Sequence, residues 1–325
     1  MGENTLLSVE DLVVKYFLRT STCEAVNGIS FTIDKGERVG LVGETGAGKT
    51  TTALSILDLV PNPPGRIVSG KIILNGEDVL AKSEAEVRKI RGNDVAMIFQ
   101  DPMTSLNPVM TVGDQITEVV RLHNDVGRFE AMDKARDMLE LVGIPGERYG
   151  EYPHQFSGGM KQRVLIAMAL ACNPKLLIAD EPTSALDVTI QAQVLDLING
   201  LREKLGMSLL LITHDLGVVA ETCDRVMIMY AGSIVESGTI RAVYKNIKHP
   251  YTKGLFGSIP RLDIETERLD PIKGMMPDPS NLPEGCAFCE RCPNAIEECK
   301  TKRPQLEDIG DGHMVACFNP LKEGA

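Results

Sequence analysis

Nine residues, GETGAGKTT from Gly43 to Thr51, contain the pattern G-x-x-x-x-G-K-[ST], and no other stretch of the chain does. Their types and spacing suit one task, the holding of a polyphosphate. Gly43, Gly46 and Gly48 let the backbone bend until successive N–H groups point at one anion, and a helix opening there would add its dipole. Lys49 then reaches the outer phosphates and Thr50 offers a hydroxyl to Mg²⁺, with Glu44, Thr45, Ala47 and Thr51 completing the loop. The metal needs a carboxylate as well. LLIADEP supplies Asp180 at the end of an apolar run, with Glu181 beside it where a base polarises water. Read singly, this stretch could be a helix-capping turn. A second anion-ready start, Ser157-Gly158-Gly159, precedes another apolar helix. One nucleotide does not need both starts. The economical reading is a pair of such domains, each lending its Ser-Gly-Gly to the other's nucleotide; the bland one makes Ser157 a plain N-cap.

The elements that must position these residues follow from periodicity. From Leu7 to Val42, short β-branched runs separated by turn residues predict antiparallel strands leading into a buried one. A polar segment of helical period follows at about 102–165, with Met132, Ala135, Leu139 and Val142 on one face, and reads as a helical insertion. After Phe156 come a helix, the strand Leu176–Asp180, a helix aligning Val194, Ile198, Leu201 and Leu205, and the strand Leu209–Thr213. Strands alternating with helices of that length predict an α/β fold with a mostly parallel sheet covered on both faces. Near HPYTKGLFGSIP the composition changes, so residues 1–258 form one domain and residues 259–325 an extension rich in Pro, acids and Cys.

With 34 basic and 45 acidic residues the chain carries a net charge of −11, which repels nucleic acid and anionic lipid. Its longest apolar run, Val164 to Cys172, is far short of the roughly 20 residues of a membrane span. The amino end has no basic region typical of a secretory signal, so a cytoplasmic setting with reduced thiols is expected. In that setting Cys286, Cys289, Cys292, Cys299 and Cys317 favour a metal centre over disulfides.

These motifs, in this order, resemble the ATP-binding subunit of an ABC transporter, and within it the oligopeptide/dipeptide/nickel importer group. The likeness runs over essentially the whole chain. It implies a P-loop NTPase fold of ABC type, with antiparallel β and helical subdomains. GETGAGKT corresponds to the Walker A motif, FSGGM to the family signature with Met160 where many members carry Gln, and LLIADE to Walker B. Gln100 in AMIFQDP matches the Q-loop, SALD with Asp187 the D-loop, and LITHD the switch carrying His214. DPMTSLNP and HPYTKGLFGSIP resemble stretches typical of the subgroup. The resemblance implies Mg²⁺ held by Thr50, Gln100 and Asp180, with Glu181, His214 and Lys49 catalytic. Tyr16 or its neighbour Phe17 would stack on adenine. It also implies two transmembrane permease subunits, a second ATPase that is more often a different chain, an extracytoplasmic substrate-binding protein, and a place on the cytoplasmic face of the membrane. In the tail the subgroup's C-x5-C-x6-C-x17-C spacing selects Cys286, Cys292, Cys299 and Cys317 and resembles a [4Fe–4S] site, with Cys289 spare. Zn²⁺ on the same thiolates and free thiols are the alternatives. A DNA- or ribosome-directed ATPase would show a basic face, a coiled-coil insertion or a second such domain; a nonhydrolytic regulator would lack Glu181 or His214. The cargo, peptide or nickel, is set by other subunits.

Overall fold

The computed structural model describes residues 4–100, 105–184, 186–258 and 272–322. In chain order its strands are β1 (Thr5–Phe17), β2 (Thr22–Asp34), β3 (Arg38–Val42), β4 (Gly65–Leu74), β5 (Glu77–Asp78), β6 (Val95–Ile98), β7 (Leu176–Asp180), β8 (Ser208–Thr213), β9 (Arg225–Tyr230), β10 (Ser233–Thr239), β11 (Glu307–Asp308) and β12 (Met314–Val315). They belong to two compact units. One is built chiefly from Asp78–Ile212, the other from Leu7–Thr32, Val39–Glu77 and Thr213–Ala325.

In the Asp78–Ile212 unit, β8, β7 and β6 lie side by side and parallel, with Ile98 opposite Ala179 and Asp180 opposite Ile212. Every residue of β7 and β8 is buried, the reason their sequences read as unbroken apolar runs. The polar segment before them forms the helices Val112–His123 and Arg128–Leu141. The second helix buries Ala131, Ala135 and Leu139, with Val142 buried at its end, so three of the four expected residues face inward and Met132 is half-buried at the edge of that face. The first starts at Thr111, whose hydroxyl accepts the Asp114 N–H at 3.1 Å.

In the other unit, β2-β1-β4-β5 form a four-stranded sheet in which β1 and β4 are antiparallel. A second run is ordered β11-β12-β10-β9-β3, with β3 parallel to β9 and the rest antiparallel. The tail strands thus add to the edge of β10. Glu236 on β10, fully buried, accepts the N–H groups of Lys248 at 2.7 Å and His249 at 3.0 Å and pairs with Nε2 of His313 at 2.8 Å. That contact anchors the tail with a hydrogen-bonded buried carboxylate. The boundary expected at 258/259 abuts residues 259–271, outside the described residues; so do residues 101–104 of DPMTSLNP, Ala185 of SALD and the end of HPYTKGLFGSIP.

Candidate functional site

In the unit that holds β3, the loop from Gly43 leaves that strand and enters the helix Lys49–Ile56. Gly48 has φ +105°, and a Cβ there would stand 2.4 Å from the Ala25 carbonyl oxygen, so no other residue fits without moving the loop. Lys49 is buried and its Nζ donates to the carbonyls of Gly43 at 2.8 Å and Glu44 at 3.1 Å, crossing the loop from within. Ala47 is buried, whereas Thr45, Gly46 and Thr50 face solvent at the loop's rim. A glycine-rich loop opening a helix in this way is suited to an anion. Tyr16 is half-buried, with its hydroxyl 3.5 Å from Oγ1 of Thr51, while Phe17 is 51% exposed; both lie in the loop's unit. His214 is exposed just past β8, beside Asp215, which caps the helix Leu216–Thr222.

In the unit that holds β7, Asp180 is 2% exposed at the strand's end. Glu181 follows with φ +46°, in the left-handed region where a non-glycine residue is strained. Its N–H is held by the Ile212 carbonyl at 2.8 Å, and its Oε2 accepts from Nε2 of Gln100 at 2.9 Å. Ser184 closes the group, its hydroxyl donating to the Gln100 carbonyl at 3.4 Å. Glu181 and Gln100, chosen from motifs 81 positions apart, are thus brought together. Ser157 caps the helix Gly158–Leu170, its Oγ accepting the Met160 N–H at 3.4 Å, and Asp187 caps Val188–Leu205 through the Ile190 N–H at 3.0 Å. Gly159 is required by close approach, since a Cβ would lie 2.7 Å from Cγ2 of Ile190. Ser157, Gly158 and Asp187 remain exposed.

The tail thiols are grouped. Cys286 feels the charges of Cys299, Cys317 and Cys292, Cys292 those of Cys299 and Cys289, Cys289 that of Cys299, and Cys317 those of Cys292 and Cys299, so all five thiols are linked and none is set apart. The Cys286 N–H donates to the Cys299 carbonyl at 2.8 Å, and the Ala316 N–H is held by Val235 at 2.9 Å, fixing the approach of Cys317. Burial pushes the Cys286 and Cys317 thiols up to about 11, with like charges adding. Among the described residues, however, no three His, Cys, Asp or Glu side chains are set as ligands of a metal ion. The expected iron–sulfur or zinc centre therefore finds no formed ligand set. Motif reading also passed over Tyr251 and Arg291, which reach the phosphate loop from the C-terminal region. Tyr251 lay inside HPYTKGLFGSIP, the one available signal; Arg291 had none.

Residues 26–184 match the family model described as ABC transporter, and residues 235–299 match that described as oligopeptide/dipeptide transporter, C-terminal region. The chain is similar to the oligopeptide transport ATP-binding protein AppD of Bacillus subtilis, 52% identical over 99% of each chain. It is also similar to the dipeptide transport ATP-binding protein DppD of the same organism, 49% identical over 96% of this chain and 94% of that one. Among solved structures, the ATP-binding cassette MJ0796, a dimer in a post-hydrolysis state bound to ADP and Pi, matches 72% of this chain and 99% of its own with TM-score 0.65 and 25% identity.

Proposed function

The chain belongs to the ATP-binding proteins of ABC transporters, in the group that carries the oligopeptide/dipeptide transporter C-terminal region, and on that premise we propose that it powers peptide import through separate membrane subunits. The observation that carries the reading is the Gly43–Thr51 loop, crossed by Lys49 and opening a helix from a buried strand. No helix of the described residues is long and apolar enough to cross a membrane, which accords with a subunit that delivers work to other chains.

In this reading the loop amides and Lys49 bind the phosphates of ATP, and Tyr16 takes the adenine. Thr50, Gln100 and Asp180 offer the hydroxyl, amide and carboxylate oxygens that suit Mg²⁺, which when bound neutralises charge on the phosphates. Glu181, aimed by Gln100, orients the attacking water and takes its proton; His214 supports the terminal phosphate. Ser157, Gly158 and Asp187 act on the nucleotide of a second ATPase subunit, a different chain in a heterodimer. Their exposure supports this. Exposed Leu122 and Phe129 on the helical insertion support docking to two membrane subunits, on the cytoplasmic face, served by an extracytoplasmic binding protein. We further propose residues 259–325 as an extension whose Cys286, Cys292, Cys299 and Cys317 hold a [4Fe–4S] cluster of structural purpose. The reading rests on the subgroup's cysteine spacing alone, since among the described residues no ligand set is formed.

Purification of the intact membrane complex tests the whole. MgATP hydrolysis and peptide uptake are expected, and Glu181→Gln should abolish hydrolysis while MgATP still binds. A complex that takes up nickel instead, or a Glu181→Gln protein of undiminished turnover, would refute the cargo or the mechanism respectively.

A further inference from the structure

Glu44, second residue of the phosphate loop, is held twice by the C-terminal region. Its backbone N–H donates to the hydroxyl oxygen of Tyr251 at 3.0 Å, 207 positions away. Its carboxylate accepts from a terminal nitrogen of Arg291 at 3.0 Å, 247 positions away. The same nitrogen reaches the Tyr230 hydroxyl at 3.3 Å, and Nε of Arg291 donates to the Lys273 carbonyl at 3.1 Å. Tyr230, Tyr251 and Phe288 pack around these groups, with ring centroids 4.5 to 5.4 Å apart. On the loop's outer side the Met276 methyl lies 3.1 Å from where a Cβ of Gly46 would stand.

The pair is no surface decoration. The Arg291 side chain is 8% exposed and that of Glu44 28%, so water screens them less than it does exposed ion pairs. A guanidinium so enclosed must be paired, and Glu44 is its carboxylate. The loop it holds contains three glycines within six residues and is the segment with most backbone freedom to lose on binding an anion.

We propose that Arg291 and Tyr251 are positioning residues for the phosphate loop: they hold Glu44 at its carboxylate and its N–H, keep the loop in its anion-ready shape before nucleotide arrives, and so set nucleotide affinity from the C-terminal region. The proposal rests on Gly43–Thr51 being the ATP site. Neither residue bears on the reacting phosphoryl group in this reading, so the effect falls on binding and leaves the chemical step alone.

The test measures MgATP affinity by calorimetry on the full-length chain, as wild type, Arg291→Gln, Arg291→Lys, Glu44→Gln, Tyr251→Phe and the double Glu44→Gln/Arg291→Gln. Each Gln variant should weaken MgATP by about five- to tenfold, and the double no more than either. Arg291→Lys should recover part of the loss, and Tyr251→Phe should weaken binding by about threefold. In the assembled complex the Arg291 and Tyr251 variants should raise KM in step while kcat stays within about twofold. A fall in thermal midpoint with unchanged affinity would make the residues merely structural and overturn the proposal, as would single effects that multiply in the double variant. A wild-type chain that does not bind MgATP would instead sink the nucleotide-site reading beneath it.

Discussion

Mild acid should destabilise this protein through His249. The side chain is enclosed at the start of the helix Pro250–Gly257, and its Nδ1 accepts the Tyr251 N–H at 3.1 Å. Burial lowers its pKa from 6.5 to about 4, outweighing the charge of Glu236, which pulls the other way. The folded ring thus stays neutral where the unfolded chain already takes up a proton. Stability is complete above pH 6.5 and is lost as pH falls toward about 4. At about 1.4 kcal/mol per pH unit, that interval amounts to about 3 kcal/mol. The local geometry has the same sign, because protonation would set an N–H donor against the Tyr251 N–H and a positive charge at a helix N-terminus. Urea unfolding of wild type and His249→Gln from pH 4 to pH 8 isolates the effect, since other titrating groups cancel in the difference. The stability difference should be flat above pH 7 and should move against the wild type by about 3 kcal/mol on going to pH 4. A difference constant to within about 0.5 kcal/mol, or one of opposite sign, would refute the assignment of His249 as a neutral buried acceptor.

Three further outcomes follow from other contacts. Gly48→Ala must either bear a strained φ and the Ala25 carbonyl or shift the loop, and should weaken MgATP binding by at least about thirtyfold, corresponding to ~2 kcal/mol of strain, as read by calorimetry. His313→Ala removes the side-chain partner of fully buried Glu236 and should cost about 2–3 kcal/mol in urea unfolding, with His313→Gln recovering part. On the proposed cluster, anaerobically purified protein should carry iron and acid-labile sulfide, Cys292→Ser should lose both and Cys289→Ser should keep them; iron-free wild type would discard the cluster, and equal losses the four-ligand assignment.

What could be read from the sequence was whatever a contiguous stretch determines by itself. A glycine-rich loop between apolar runs, a carboxylate ending the run LLIAD and a Ser-Gly-Gly before a helix each carry their geometry locally, and the structure gives each its strand, loop or cap. Period alone found the inward Ala135, Leu139 and Val142 but missed Ala131, the small residue that takes the inner place beside half-buried Met132. The left-handed backbone at Glu181 was not legible either: its N–H is held by the Ile212 carbonyl on the adjacent strand and its side chain by Gln100, partners far away in sequence. The furthest from view were charges whose meaning lies in a distant partner. Glu236 reads as a polar break in a strand until His313, 77 positions on, arrives beside it. Arg291 reads as a solvated residue between two cysteines until it is found on Glu44. The phosphate loop carries the marks of its ligand in its own glycines and lysine, while the restraint on its shape is written in a tail whose residue types, taken in order, announce nothing.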